Sequence, residues 1–90
     1  MKSGEQVATF PTTIDAIMSS PHFVLGVADR RAGRGYRSAY ATWDIDGQWN
    51  YERGRAWAVS APRSVELRRN GKLSPAAIRW FMKTFFKRAG

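Results

Sequence analysis

Apolar residues recur at helical spacing in four stretches of the chain, and between these stretches the pattern gives way to turn residues. Thr12-Thr13-Ile14-Asp15 has the spacing of a capping box, which predicts a short helix to about Ser19 with Ile14, Ile17 and Met18 inward. Ser20-Pro21 reads as the N-cap and first residue of a second helix, 21–32. Its Phe23, Val24, Val27, Ala28 and Arg31 share the helical period, and Gly33 supplies the left-handed stop. Asp44 or Asp46 caps a third helix, Gln48 to Ala61, closed by Pro62. Trp49, Arg53, Ala56, Trp57 and Ser60 lie on one face of it, with Tyr51, Ala58 and Ala61 beside them. The last helix runs from Pro75 to about Arg88, with Ile78, Phe81, Met82 and Phe85 inward.

The intervening segments have their own signals. Gly33, Gly35 and Ser38 are interleaved with Tyr36, Tyr40 and Trp43 without a clean period, which predicts an ordered loop over 33–45 pinned by its rings. In 64–73, Val65 and Leu67 alternate with Glu66 and Arg68 up to Asn70-Gly71, a dipeptide preferred in two-residue hairpins. The second arm is only Lys72-Leu73, so a turn or short hairpin is expected, not a sheet. Residues 1–11 are polar and aperiodic and read as a loose lead-in that docks at most through Val7 and Phe10. The expected fold is therefore mainly α, three to four helices around one core, in a single domain 1–90. A glycine inside a helix costs about 1 kcal/mol relative to alanine. Gly26 and Gly54, one in each of two amphipathic helices, thus point to two backbones crossing closely.

Composition narrows the possibilities. Ninety residues leave no room for a second core, and 43% hydrophobic residues suffice to offset chain entropy, which excludes wholesale disorder. Without cysteine there is no disulfide framework, thiolate metal site or cysteine nucleophile, and a single histidine, His22, excludes any site built from two imidazoles. No apolar run approaches the roughly 20 residues of a bilayer span. Lys2, Glu5, Thr12, Thr13 and Asp15 do not form the apolar centre of an export signal, and a cytoplasmic location is expected.

The charge is uneven. Fifteen Lys and Arg stand against seven Asp and Glu, a net +8, yet residues 1–29 hold one base and three acids. The excess lies in Arg30, Arg31, Arg34 and Arg37, and in Arg68, Arg69, Lys72, Arg79, Lys83, Lys87 and Arg88, a segment without an acid. Eleven of the bases are Arg, whose planar fork grips phosphate and stacks on bases, so a polyanion is the favoured partner. Arg79, Lys83 and Lys87 are spaced four apart along the last helix, bordered by a row of Trp80, Thr84 and Arg88, which makes a phosphate track with a ring available for stacking. Ordinary structural roles compete with this. Positive charge near a helix C-terminus complements the macrodipole, and a tryptophan in such a helix is more often packed than free. The same segment has the composition of a helix lying on anionic lipid, but a folded partner covering Phe81 and Phe85 leaves little to insert, so a membrane is not favoured.

Catalytic chemistry finds little footing. Asp29, Asp44, Asp46, Glu52 and Glu66 form no recognisable acid–base pair, and no serine makes a convincing nucleophile beside His22. Asp44-x-Asp46-Gly47 opens like a calcium loop but lacks its later ligands, and helix capping accounts for both acids. Gly33-Arg34-Gly35 is too short to cradle a nucleotide. No enzyme activity, metal, cofactor or small-molecule substrate is expected.

Gly26-Val27-Ala28-Asp29-Arg30-Arg31-Ala32-Gly33-Arg34, followed by Trp49, Gly54 and Ala58, resembles the ribosome modulation factor family, in which two helices are joined by a linker. The likeness, within residues 26–58, implies binding to ribosomal RNA near the message exit region and silencing of translation. The family's Cys-Pro-Tyr linker is absent, and residues 62–90 have no counterpart. Trp49-Asn50-Tyr51-Glu52-Arg53-Gly54-Arg55, with Ala61-Pro62 and Asn70-Gly71-Lys72-Leu73, looks like small proteins of phages and prophages. That likeness implies a genomic context without a mechanism; phage proteins of this size commonly act by occupying a host nucleoprotein machine, anti-CRISPR inhibitors among them. The expectations are thus, first, a non-catalytic module binding nucleic acid, RNA or the ribosome, through its arginine-rich patches. The second is a phage inhibitor docking on a host protein or nucleoprotein complex through Tyr36, Tyr40, Trp43 and Trp80. The third is a structural protein that dimerises.

Overall fold

The computed structural model describes residues 13–86. The N-terminal lead-in and the basic residues Lys87 and Arg88, with the expected end of the last helix at about Arg88, lie outside the described residues. The elements in chain order are α1 (Ile14–Ser19), α2 (Pro21–Arg31), a 3₁₀ turn (Ser38–Thr42), α3 (Ile45–Ser60), β1 (Arg68–Arg69), β2 (Lys72–Leu73) and α4 (Pro75–Phe85).

Short polar side chains start each helix by accepting an orphan backbone N–H. Thr13 accepts from Ala16, Ser20 from His22, Asp44 from Gly47 and Ser74 from Ala77. The α1 cap is therefore Thr13, one residue after the capping-box threonine, and α3 begins three residues before Gln48 because Asp44 captures the first turn. Gly33, at φ +77°, closes α2 with paired bonds from Gly33 N–H to Arg30 O and from Arg34 N–H to Asp29 O. β1 and β2 pair antiparallel, Arg68 opposite Leu73 and Arg69 opposite Lys72. Asn70 and Gly71 between them both have positive φ, as a tight twisted hairpin demands.

α2 and α3 form the centre of the molecule. The His22 ring lies against Gly47 near their N-terminal ends, and Arg31 donates to Pro62 O beyond their C-terminal ends, so the two helices run in the same sense. They touch backbone to backbone. A Cβ at Gly54 would stand 2.1 Å from the carbonyl oxygen of Phe23, and one at Gly26 would stand 2.2 Å from that of Tyr51. This contact decides which faces turn inward. α3 buries Gly47, Tyr51, Gly54 and Trp57, so of the stripe headed by Trp49 only Trp57 is fully buried, with Arg53 and Ala56 half-buried and Trp49 and Ser60 exposed; α2 buries Phe23, Gly26, Val27 and Asp29 while Val24 and Ala28 stay exposed. Close approach goes to the glycines, and larger apolar residues on other faces are left outside.

α4 completes the core from the other side, running opposite to α3: Trp57 donates its indole N–H to Ala77 O, and Phe85 reaches back to Trp49 and Arg53. Met18, Phe23, Val27, Trp57, Ala61, Ala77 and Phe81 pack together. Ile78 and Met82, expected inward, are exposed, because Ala77 and Phe81 take the face toward Phe23 and Trp57. Among the described residues no helix is long and apolar enough to cross a membrane.

Candidate nucleic-acid interface

Asp29, fully buried in the last turn of α2, organises the first arginine cluster. Arg37 grips its carboxylate with two bonds, Nε to Oδ2 at 2.8 Å and an Nη to Oδ1 at 2.9 Å. Arg34 adds Nε to Oδ1 at 3.2 Å, and the Tyr51 hydroxyl donates to Oδ2 at 2.6 Å. The Arg37 bonds hold the carboxyl well below the usual carboxylate range against the opposing effect of burial, with Tyr51 and Arg34 assisting. Burial first, and then the bond to Asp29, pushes the Tyr51 phenol up. This carboxylate straps the loop after α2 across to α3.

Rings fill the space under the strap. Tyr36, Tyr40 and Trp43 all pack on Tyr51 with centroids 5.1–5.9 Å apart, and Trp43 meets His22 edge-on at 4.6 Å. Arg55 lies 4.8 Å over the Tyr36 ring, and Tyr40 donates to the Glu52 carboxylate. That bond pushes the Tyr40 phenol up to about 12. The three rings expected to meet a partner are thus packed on the protein's own α3, with Tyr36 the most open at 55% exposure.

Arg31 is also put to internal use. Its guanidinium stacks 5.0 Å over Trp57 and donates to Pro62 O at 3.0 Å, while Arg63 caps α2 by donating to Arg31 O. Burial lowers the Arg31 pKa, with Arg63 adding to the effect. Of the four arginines between 30 and 37, Arg30 alone is exposed with no carboxylate bonded to it among the described residues. Sequence reasoning gave Asp29 no site role, although one acid followed by arginines five and eight positions later is a readable sign of such a strap.

The hairpin and α4 differ from this cluster. Arg68 donates to Gly71 O and to Ser19 Oγ, both neutral, so its charge is uncompensated. Arg69 has only a loose contact of 3.7 Å with Glu66, both side chains about two-thirds exposed. Lys72, Arg79 and Lys83 are exposed, and no carboxylate among the described residues lies within salt-bridge distance of them. Lys83 sits 4.8 Å over the Trp80 ring, which is half-buried.

The two groups occupy different flanks of α3. The loop lies on the Gln48, Tyr51, Glu52 and Arg55 stripe, whereas α4 lies beside Trp57, Trp49 and Arg53. Among the described residues no group of three His, Cys, Asp or Glu side chains converges to hold a metal ion. Comparison of the chain with known protein families, curated proteins and solved structures finds no match.

Proposed function

We propose that this chain is a non-catalytic binding protein for nucleic acid, RNA first among the candidates, and that Arg68, Arg69, Lys72, Arg79 and Lys83 of the hairpin–α4 segment form the contact. The reading rests on one contrast. Arg34 and Arg37 spend their charge on Asp29, and Arg31 is half-buried over Trp57, whereas the five bases of the later segment are all exposed, with Glu66 loosely held by Arg69 and only neutral partners for Arg68 and Lys83. A free guanidinium or ammonium gains most where it releases counterions from a phosphate backbone. The phosphate-binding charge of this protein is accordingly fewer cations than the net +8 implies, and it lies in the C-terminal third.

The test is fluorescence anisotropy of labelled single-stranded and duplex oligonucleotides against salt. Neutralising about five phosphates gives a slope of log K against log salt of about −4.5 on a duplex and about −3.5 on a single strand. The variant R69Q/K72Q/R79Q/K83Q is expected to lose most of that slope, and R30Q no more than about one part of it. A slope shallower than about −1, or equal binding by the quadruple variant, removes the proposal.

A further inference from the structure

The α3–α4 side of the molecule carries an apolar surface that the core leaves uncovered. Ile78, Met82 and Phe86, spaced four apart, are 37%, 44% and 55% exposed, and Trp49 on α3 is 52% exposed with Ile45 one turn before it. Between the two helices runs a groove of about 420 Å³ lined by Trp49, Glu52, Arg53, Ala56 and Phe85. Scattered exposed apolar side chains are ordinary, but a stripe on each of two antiparallel helices with a groove between them has the shape that receives a third helix.

The charge around the groove decides what kind of helix. Arg53 lies 5.6 Å over the Trp49 ring at one edge, and Arg79 and Lys83 adjoin Ile78 and Met82 in α4. The one acid in the lining, Glu52, accepts from the neutral Tyr40 hydroxyl and keeps its charge, so Arg53, Arg79 and Lys83 outnumber it three to one around the groove. We infer that this groove docks an amphipathic helix of a partner protein whose apolar stripe is flanked by Asp and Glu. A second copy of this chain is a poor occupant, since it brings the same cationic rim and a net +8 of its own. The inference shares Arg79 and Lys83 with the polyanion reading, but its apolar contacts, Trp49 and Met82, belong to the groove alone and let the two be tested apart.

A designed peptide of about 18 residues, long enough to hold a helix, serves as probe, with Leu at i, i+3, i+4 and i+7 and Glu on both flanks. Titrated into the full chain and followed by Trp fluorescence and calorimetry, it is expected to bind in the micromolar range. W49S/M82S, which removes apolar contact but no charge, is expected to weaken it about tenfold or more while leaving oligonucleotide binding unchanged. Both side chains are exposed, and circular dichroism verifies that this variant keeps its helices. A peptide with Gln in place of Glu is expected to bind about fivefold less tightly. Three results overturn the inference. One is equal binding of a peptide with the same composition but scrambled apolar positions. Another is equal binding by W49S/M82S. The last is no binding by the folded protein, whether residues 1–12 of the chain occupy the groove or a dimer visible in sedimentation does.

Discussion

Replacing Gly54 with alanine sets two well-known effects against each other. On helix propensity alone the change stabilises α3 by about 1 kcal/mol. The structure reverses the sign. The new methyl would sit 2.1 Å from Phe23 O and 2.9 Å from its carbonyl carbon, about 1.3 Å short of ordinary contact with the oxygen. That oxygen is backbone inside α2 and cannot swing aside as a side-chain tip does. The helices must separate, loosening Tyr51, Trp57 and Phe23, which are fully buried around the crossing. Overpacking of this kind typically costs about 1–3 kcal/mol and more where backbone must move, so taking about 3–4 kcal/mol here and setting the propensity gain of about 1 kcal/mol against it, the net expectation is a loss of ~2–3 kcal/mol. For a domain of this size that is a large share of the total. Urea unfolding followed by circular dichroism measures it, with Gly35→Ala as the control, because a Cβ there meets nothing within 4 Å. G26A/G54A is expected to cost less than the two single changes together, since one separation relieves both clashes. A G54A protein as stable as its parent would show that the crossing is not as tight as described.

Three further outcomes follow from individual residues. D29N leaves Arg34 and Arg37 facing an uncharged group in a buried position and is expected to cost about 2–4 kcal/mol, discounted for the exposure of both arginines, in urea unfolding at neutral pH. Because the native Asp29 carboxyl is held low, its contribution is complete above the ordinary pKa of about 3.9 and fades as pH falls below it. The acid limb of the parent's stability profile is therefore expected to flatten in D29N, and an unchanged limb would contradict the strap. Ultraviolet titration of the three tyrosines is expected to find one phenol at about 12, returning toward its ordinary value in E52Q. N70A puts a Cβ without a compensating polar group at φ +54° and is expected to destabilise by about 1 kcal/mol, whereas N70G is expected to be near neutral, by thermal unfolding.

Local signals in the chain give the elements well. Ser20, Asp44 and Ser74 before their helices, Gly33 after α2, and Asn70-Gly71 each have one physical use, and each serves it. The identity of the inward faces was harder to read. Apolar periodicity weights residues by size and so favours the Trp49 stripe of α3, but packing favoured the side on which Gly47 and Gly54 let a backbone in. The same holds for charge. Clustering of Arg30, Arg31, Arg34 and Arg37 is visible in the sequence, yet whether an arginine faces solvent depends on partners set by the turn after Gly33 and by Tyr51, 22 residues from Asp29. Arg79 and Lys83 needed no such knowledge, since a base on the outer row of an amphipathic helix has little else to meet.

The sequence distances bridged by the Asp29 carboxylate bear on how the molecule assembles. Its arginine partners come from five and eight positions downstream, so closing that loop costs little entropy compared with bringing in the C-terminal segment. Residues 21–60 consequently hold the makings of an early-forming unit, and α4 joins it mainly by seating Ala77 and Phe81. Opening events that release α4 while sparing the strapped pair would be the cheapest excursions available to the native state. Amide exchange is expected to run faster from 75 to 85 than from 21 to 31, which would leave the segment carrying the free cations adaptable to a ligand while the rest holds its shape.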